Sequence, residues 1–390
     1  MVNMKVSFME GPPWMTSIEQ KILACSTELN PDPNEQRRLR RTMSHDMDVD
    51  HLINMAIKEG LAGLLYKNLM KSGMLETLDH QQRERLQSLY YQAVVFNLKL
   101  IHDLKEVLHL LNQKNIQVVL LQGIALLQQI YDDIGLRPMT DIDLWVLKKD
   151  YPGLIGVLRN QGYQRDPIYP NTFRKGSTAF DLHTHLLGAD RIRTRTLLIE
   201  IAQEDIFHQP EIIHFEGQKA LCLKKYDQVL FLSLHALKHS VSRLIWLVDI
   251  KGLISDWKTS DWKALMHRAE VLGQERAIAY VCFLLVRLFD FDLPFECRQL
   301  SGTDRLSILE KKVLNRRIDR DCLRIWAPFI LLSAGKPLHK RIAFFTENLF
   351  PRPEILRQVF PYSTGSPVWQ LYLKRVLQIS GMLRQRGGRP

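Results

Sequence analysis

The spacing of apolar residues changes twice along this chain, and that change constrains its fold more than any other feature. From about His80 to Asn112, the residues Leu86, Leu89, Val94, Leu98, Ile101, Leu104, Val107 and Leu111 recur at helical spacing as one broad stripe. A stripe of that length needs a partner surface to cover it. Past residue 116 the runs become short and alternate, as half-buried strands do, and near residue 225 helical spacing returns. The pattern divides the chain into a helical region over residues 1–113, an α/β core over 114–225 and a second helical region over 226–390. The expected class is α+β, a small mixed and largely antiparallel sheet flanked by N-terminal and C-terminal helices.

Within the first region Pro31–Asp32–Pro33 marks an early break, and Val49 to Met70 is helical with interruptions at Gly60 and Gly63. In the core, Ile116–Leu121 reads as a strand ending in Gln122–Gly123, Ile124–Tyr131 as a helix, Asp132–Pro138 as a loop and Thr140–Val146 as a strand. Tyr151–Asn160 is helical and stops at Gly162. Gly176–Ser177 and Glu216–Gly217 are hairpin turns between short apolar runs. In the last region Asp227 and Asp261 are expected helix caps, Phe350–Pro353 a break, and Pro367 to Leu383 a final helix.

Composition excludes several classes. With 46% hydrophobic and 24% charged residues the chain can build an ordinary globular core. The longest apolar stretches, Ala277–Leu288 and Trp326–Ala334, are interrupted by Arg287 and Ser333 and are too short to span a bilayer. Met1 to Met15 lacks the continuous apolar segment of a signal peptide, so no membrane partner and a cytoplasmic location are expected. Five scattered cysteines, Cys25, Cys222, Cys282, Cys297 and Cys322, contain no CxxC pair and read as reduced, mostly buried thiols. The net charge of +11 allows attraction to nucleotides or nucleic acid. The basic runs Arg37–Arg41 and Arg384–Arg386 lack the interleaved aromatics of a base-stacking platform, so nucleic acid is not the favoured partner.

The chemistry centres on Asp141–Ile142–Asp143. Side chains two apart in a strand share a face, so both carboxylates project together while Ile142, Leu144 and Val146 face an apolar layer. Adjacent carboxylates repel unless a cation or proton intervenes, and hard oxygen donors suit Mg2+ or Mn2+. In Phe180–Asp181–Leu182–His183–Thr184–His185 the same alternation puts Asp181, His183 and His185 on one face. Were that strand to lie beside Asp141–Val146, three carboxylates would meet, with the histidines as its polar surroundings. Gly123 at a strand end can admit phosphate oxygens close to the backbone, and Arg137 can grip them in bidentate fashion; Arg137 can equally pair with Asp132 or Asp133. His235 and His239 are one helical turn apart, but no glutamate beside them marks a zinc protease, so they read as a helix bordering the cleft, with His239, Arg243 and Asp249 reaching inward and Trp246 packing.

The run Leu120–Leu126, Tyr131, and Gly135–Leu144 resembles the bacterial uncharacterised nucleotidyltransferase family of the polymerase-beta-like nucleotidyltransferase superfamily. The likeness extends to Phe180–His183, to Leu234–His235, Lys238–His239 and Arg243–Asp249, and near the end to Leu349–Pro351 and Tyr372–Arg375. It implies a nucleotide-binding core that transfers a nucleoside monophosphate from an NTP to an acceptor hydroxyl. Asp141 and Asp143 would be metal ligands and Asp181 the third acid, which helps to activate the acceptor; the residues' own chemistry makes Asp181 the third metal ligand and sets Gln122, Gly123 and Arg137 at the nucleotide's phosphates. Gln122 stands where members often carry lysine, and Ile124 where the wider superfamily has serine or glycine. Those two departures motivate the alternative, a non-catalytic nucleotide-binding or scaffold protein on the same fold. The acceptor, the NTP base and the oligomeric state have no signature in the sequence.

Overall fold

The computed structural model describes residues 17–43, 47–199, 206, 209–320, 323, 326–363 and 365–384. The expectations for Met1 to Met15, Cys322 and Gln385–Arg386 lie outside them. The α+β reading holds: one seven-stranded mixed sheet carries helices before and after it. Its strands are β1 (Val118–Leu121), β2 (Ile142–Val146), β3 (Gln164–Arg165), β4 (Thr172–Lys175), β5 (Thr178–His183), β6 (Glu211–Phe215) and β7 (Gln218–Cys222), in the spatial order β3-β4-β5-β2-β1-β7-β6. The hairpin pairs β3–β4, β4–β5 and β6–β7 are antiparallel, as is β1–β2, while β2–β5 and β1–β7 are parallel. Glu216 and Gly217 both take positive φ, the conformation that matches the right-handed twist of flanking strands in a two-residue hairpin.

The apolar stripe on the first long segment forms a 34-residue helix, His80–Gln113, started by a capping box between Asp79 and Gln82. Leu86, Leu104, Val107 and Leu111 are almost fully buried, while Leu98 and Val95 remain exposed, so the stripe is only partly covered. This helix also fixes the loop that leads into β2. The buried Asn97 amide donates to the carbonyls of Ile134 and Arg137 at 2.6 and 2.9 Å, and Tyr90 Oη donates to Asp133, which also pairs with Lys67 at 2.8 Å. Helix Ala62–Lys71 presses on the same loop at Gly63, where a Cβ would meet the Gly135 carbonyl oxygen at 2.1 Å. Glycine is the residue that permits that approach.

Three expected details differ. The helix after β1 is Gln122–Leu126 and does not reach Tyr131, whose hydroxyl instead bonds to Asp249. Asp227 lies inside the first turn of helix Lys225–Lys238 and receives Arg268, rather than capping it. Asp261 caps from inside helix Thr259–Leu272, accepting the backbone N–H of Lys258 at 3.0 Å. Cys25, Cys222, Cys282 and Cys297 are buried and outside any disulfide. No helix among the described residues is long and apolar enough to cross a membrane.

The two helical regions are tied together by a buried ion pair. Glu59 ends helix Val49–Glu59, and Arg317 lies on helix Ile308–Arg320; both side chains are 2% exposed and their atoms lie 2.5 Å apart. Glu59 also accepts the Leu244 N–H at 2.8 Å, and Arg317 Nε donates to the Val241 carbonyl at 2.6 Å. They thereby clamp the segment after helix Lys225–Lys238, where Ser240 and the β-branched Val241 both hold positive φ. Such backbone persists only when its surroundings over-determine it. Removing one partner leaves an uncompensated buried charge. Glu59→Ala is therefore expected to lower unfolding free energy by about 3–5 kcal/mol in denaturant titration, and Glu59→Met with Arg317→Leu to lose less than Glu59→Ala alone. A double variant as unstable as the single one would contradict this.

Candidate functional site

The parallel pairing of β2 with β5 sets Ile142 against Phe180, Asp143 against Asp181, Leu144 against Leu182 and Trp145 against His183. Register partners on adjacent strands project from the same face about 4.8 Å apart, so the sheet itself places Asp143 and Asp181 side by side. On its other flank Asp143 faces Leu121, the last residue of β1, which delivers Gln122 and Gly123 to the same rim. Thr172, the β4 partner of Asp181, donates its hydroxyl to Asp181 Oδ1 at 3.0 Å. His183 Nε2 lies 2.8 Å from Asp143 Oδ1 and 3.6 Å from Asp181 Oδ2. One ligand atom each from Asp143, Asp181 and His183 lie within 4.8 Å of one another, a grouping that could hold a metal ion. Asp141 lies just before β2 at the same cleft, accepting from Thr140 Oγ1 at 3.0 Å, and is not part of that threesome.

Like charges about 5 Å apart repel by on the order of 3 kcal/mol at an effective dielectric of about 20. Burial, reinforced by the charge of Asp143, pushes the Asp141 carboxyl up to about 7. Asp181 is likewise raised by burial, with Asp143 acting in the same direction. Burial opposes charge on His183, yet the hydrogen bond to Asp143 and the two nearby carboxylates win and raise its pKa. The acids are thus held at a density of negative charge that water alone does not relieve.

A cleft of about 570 Å³ opens over these groups. Gln122, Gly123, Asp141, Asp143, Asp181, His183, His239 and Arg243 all line it. Gln122 sits at the elbow from β1 with φ of 53°, an uncommon conformation for a residue with a side chain. Ile124 is turned into the core, 1% exposed. Arg137 reaches the cleft wall but is held from behind, and not by Asp132 or Asp133. Its Nε and Nη2 donate to Asp249 Oδ1 and Oδ2 at 3.2 and 2.8 Å, and Tyr131 Oη donates to the same carboxylate at 2.6 Å. Asp249 is fully buried behind Arg137 and does not border the cleft. A Cβ on Gly123 would meet Arg137 Nη1 at 2.4 Å, so the glycine makes room for that guanidinium. A larger cavity of about 720 Å³, lined by Thr27, Lys251 and Trp257 among others, contains none of Asp141, Asp143 and Asp181.

Sequence reasoning gave no role to the cations that face the acids. Lys238, Arg191, Arg195 and Arg375 line the cleft beside Arg243. Burial and the neighbouring Arg195 push the Lys238 amine down to about 8, although Asp143 and Asp181 pull it the other way. The alternation Arg191-x-Arg193-x-Arg195 and the lysine preceding His239 were the available signals. The far wall comes from Asn348, Ile355 and Arg375, about two hundred residues downstream; the family likeness touched Leu349–Pro351 and Tyr372–Arg375, but no local pattern tied them to the cleft. Glu347 fixes that wall to the loop bearing the arginines, accepting the N–H groups of Arg193 and Thr194 at 2.9 and 2.7 Å. His235 and His239 lie against Trp246, with ring centroids 5.1 and 5.6 Å from the indole.

A model of the family described as "uncharacterised nucleotidyltransferase" matches residues 45–290. The chain belongs to this uncharacterised nucleotidyltransferase family. The matched span takes in the whole sheet and both sides of the acidic cluster, and membership supports a role in nucleotidyl transfer with an NTP as substrate. The cleft wall from 348 to 375 lies beyond the matched span. No curated protein matches the chain.

The raised Asp141 carboxyl has a consequence for stability. Its folded form titrates near 7 and its unfolded form near 3.9, so between these values the folded state holds the extra proton and stability falls as pH rises. In metal-free protein Asp141→Asn should therefore raise unfolding free energy at pH 8 by about 1–4 kcal/mol and leave it unchanged at pH 4. An equal gain at both pH values, measured in the presence of a chelator, would contradict the assignment.

Proposed function

We propose that this protein is a divalent-metal-dependent nucleotidyltransferase that moves a nucleoside monophosphate from an NTP onto an acceptor hydroxyl. The observation that carries the reading is the in-register pair Asp143–Asp181, with Asp141 and several cations, Lys238, Arg191 and Arg195 among them, lining the same cleft. The donor set fits Mg2+ or Mn2+, being carboxylate oxygens crowded enough to need a cation. A bound ion there, held by the carboxylates, would neutralise their charge and that of the phosphates and would make the acceptor hydroxyl more acidic.

The protein's own part is positioning and charge. Asp141 and Asp143 would hold the ion on the phosphate side of the reaction, and Asp181 takes the proton from the acceptor hydroxyl as its oxygen bonds to the α-phosphorus. The bond from that phosphorus to the bridging oxygen breaks, and pyrophosphate leaves toward Lys238, Arg191 and Arg195. These cations supply the positive charge that Gln122 lacks. Arg137, locked by Asp249, is a rigid element of the wall rather than a mobile clamp. Pocket volumes of roughly 300–1,000 Å³ suit ligands of nucleotide size. The same cations would serve a non-catalytic nucleotide binder, and transfer of label separates the two readings.

With labelled NTPs, Mn2+ and a cell extract, the wild-type chain is expected to label an acceptor. Asp143→Ala should abolish that transfer by at least a hundredfold while its unfolding curve stays cooperative, and Lys238→Met should raise KM for the NTP more than it lowers kcat. Undiminished transfer by Asp143→Ala would refute the assignment; metal-dependent NTP binding with no labelled product in wild type would favour the binding protein.

A further inference from the structure

His183 stands against both carboxylates, its Nε2 2.8 Å from Asp143 Oδ1 across the strands. We infer that His183 is a direct metal ligand, completing with Asp143 and Asp181 a two-oxygen, one-nitrogen face for a divalent cation; this rests on the proposed metal-dependent transfer. Ligands in neighbouring positions on an octahedral ion with bonds of about 2.1 Å stand roughly 3 Å apart, and opposed ligands about 4.2 Å. His183 Nε2 stands 2.8 Å from Asp143 Oδ1, the separation of neighbouring positions, and 3.6 Å from Asp181 Oδ2, within the span of one coordination sphere. The three ligand atoms are already gathered within 4.8 Å without an ion.

The backbone explains why the gathering is accurate. Asp181 and His183 are two apart on β5 and share a face, and Asp143 is the register partner of Asp181 on the adjoining parallel strand. All three side chains therefore rise from rigid strand backbone. Thr172 occupies one Asp181 oxygen and leaves Oδ2 turned toward His183. Asp141, just outside this face, is free to serve a second ion with the substrate phosphates, so the two ions would have different ligand sets. A nitrogen donor shifts preference along the series toward Mn2+ and away from Mg2+, which prefers all-oxygen surroundings. The protein-held site accordingly prefers Mn2+ to Mg2+ and takes its ion before the nucleotide arrives.

The test is electron spin echo envelope modulation of the full-length chain loaded with Mn2+ in the absence of nucleotide. The expected spectrum carries nitrogen modulation from one imidazole. His183→Gln should remove it and weaken Mn2+ affinity at least tenfold while changing Mg2+ affinity less, and His185→Gln, whose ring instead accepts the Leu187 N–H, should keep it. The wild-type spectrum decides the matter even if His183→Gln fails to fold. Bound Mn2+ without nitrogen modulation, or no uptake of Mn2+ until NTP is added, overturns His183 as a ligand. If label transfer persists in that same preparation, the nucleotidyltransferase reading stands without it; loss of both metal uptake and transfer overturns both.

Discussion

Two carboxylates forced together on adjacent strands are the interaction to which the rest of this architecture answers. Asp143 and Asp181 cannot move apart without breaking the β2–β5 register, and that register is fixed by the apolar residues on the opposite face, Ile142, Leu144, Phe180 and Leu182, all at most 1% exposed. A slip by one residue would turn those four toward the cleft and the acids into the core. Hydrophobic burial therefore holds the acids in place, and the repulsion stored between them is relieved only by a proton or a cation.

The surroundings keep that repulsion from being relieved in other ways. Arg137, the nearest guanidinium in sequence to the Asp-x-Asp pair, is engaged by Asp249 and Tyr131 and cannot swing across to neutralise the acids. The loop bearing it is pinned from outside by Asn97 and from below by Gly63. Lys238 and the arginines after β5 come from segments that are themselves braced, the first by the Glu59–Arg317 clamp on the following turn, the second by Glu347. Acidic and basic side chains thus line the same cleft.

Much of this was legible in the sequence, for reasons that particular residues make plain. Period-two alternation alone placed Asp141 with Asp143, and Asp181 with His183, because strand side chains alternate whatever the fold. The hairpins at Gly176 and Gly217 and the helix from His80 followed from equally local rules. The parallel neighbourhood of β2 and β5 did not, since the helix Tyr151–Asn160 and two further strands intervene, and pairing is decided by tertiary packing. Local pattern also overestimated the helix after β1: it stops at Leu126, and Tyr131 is drawn to Asp249, 118 residues away. Long-range partners of this kind, like the wall from residues 348 to 375, leave no periodic trace.

The nucleotidyl transfer proposed for this cleft would need the cation and the triphosphate to sit together on β2 and β5. Anomalous diffraction at the manganese edge, from crystals grown with Mn2+ and a non-hydrolysable NTP analogue, measures that directly. The account predicts a manganese peak within bonding distance of both Asp143 and Asp181, with the analogue's phosphates between it and Lys238. A nucleotide seated in the larger cavity beside Trp257, or manganese found away from β2 and β5, would contradict it.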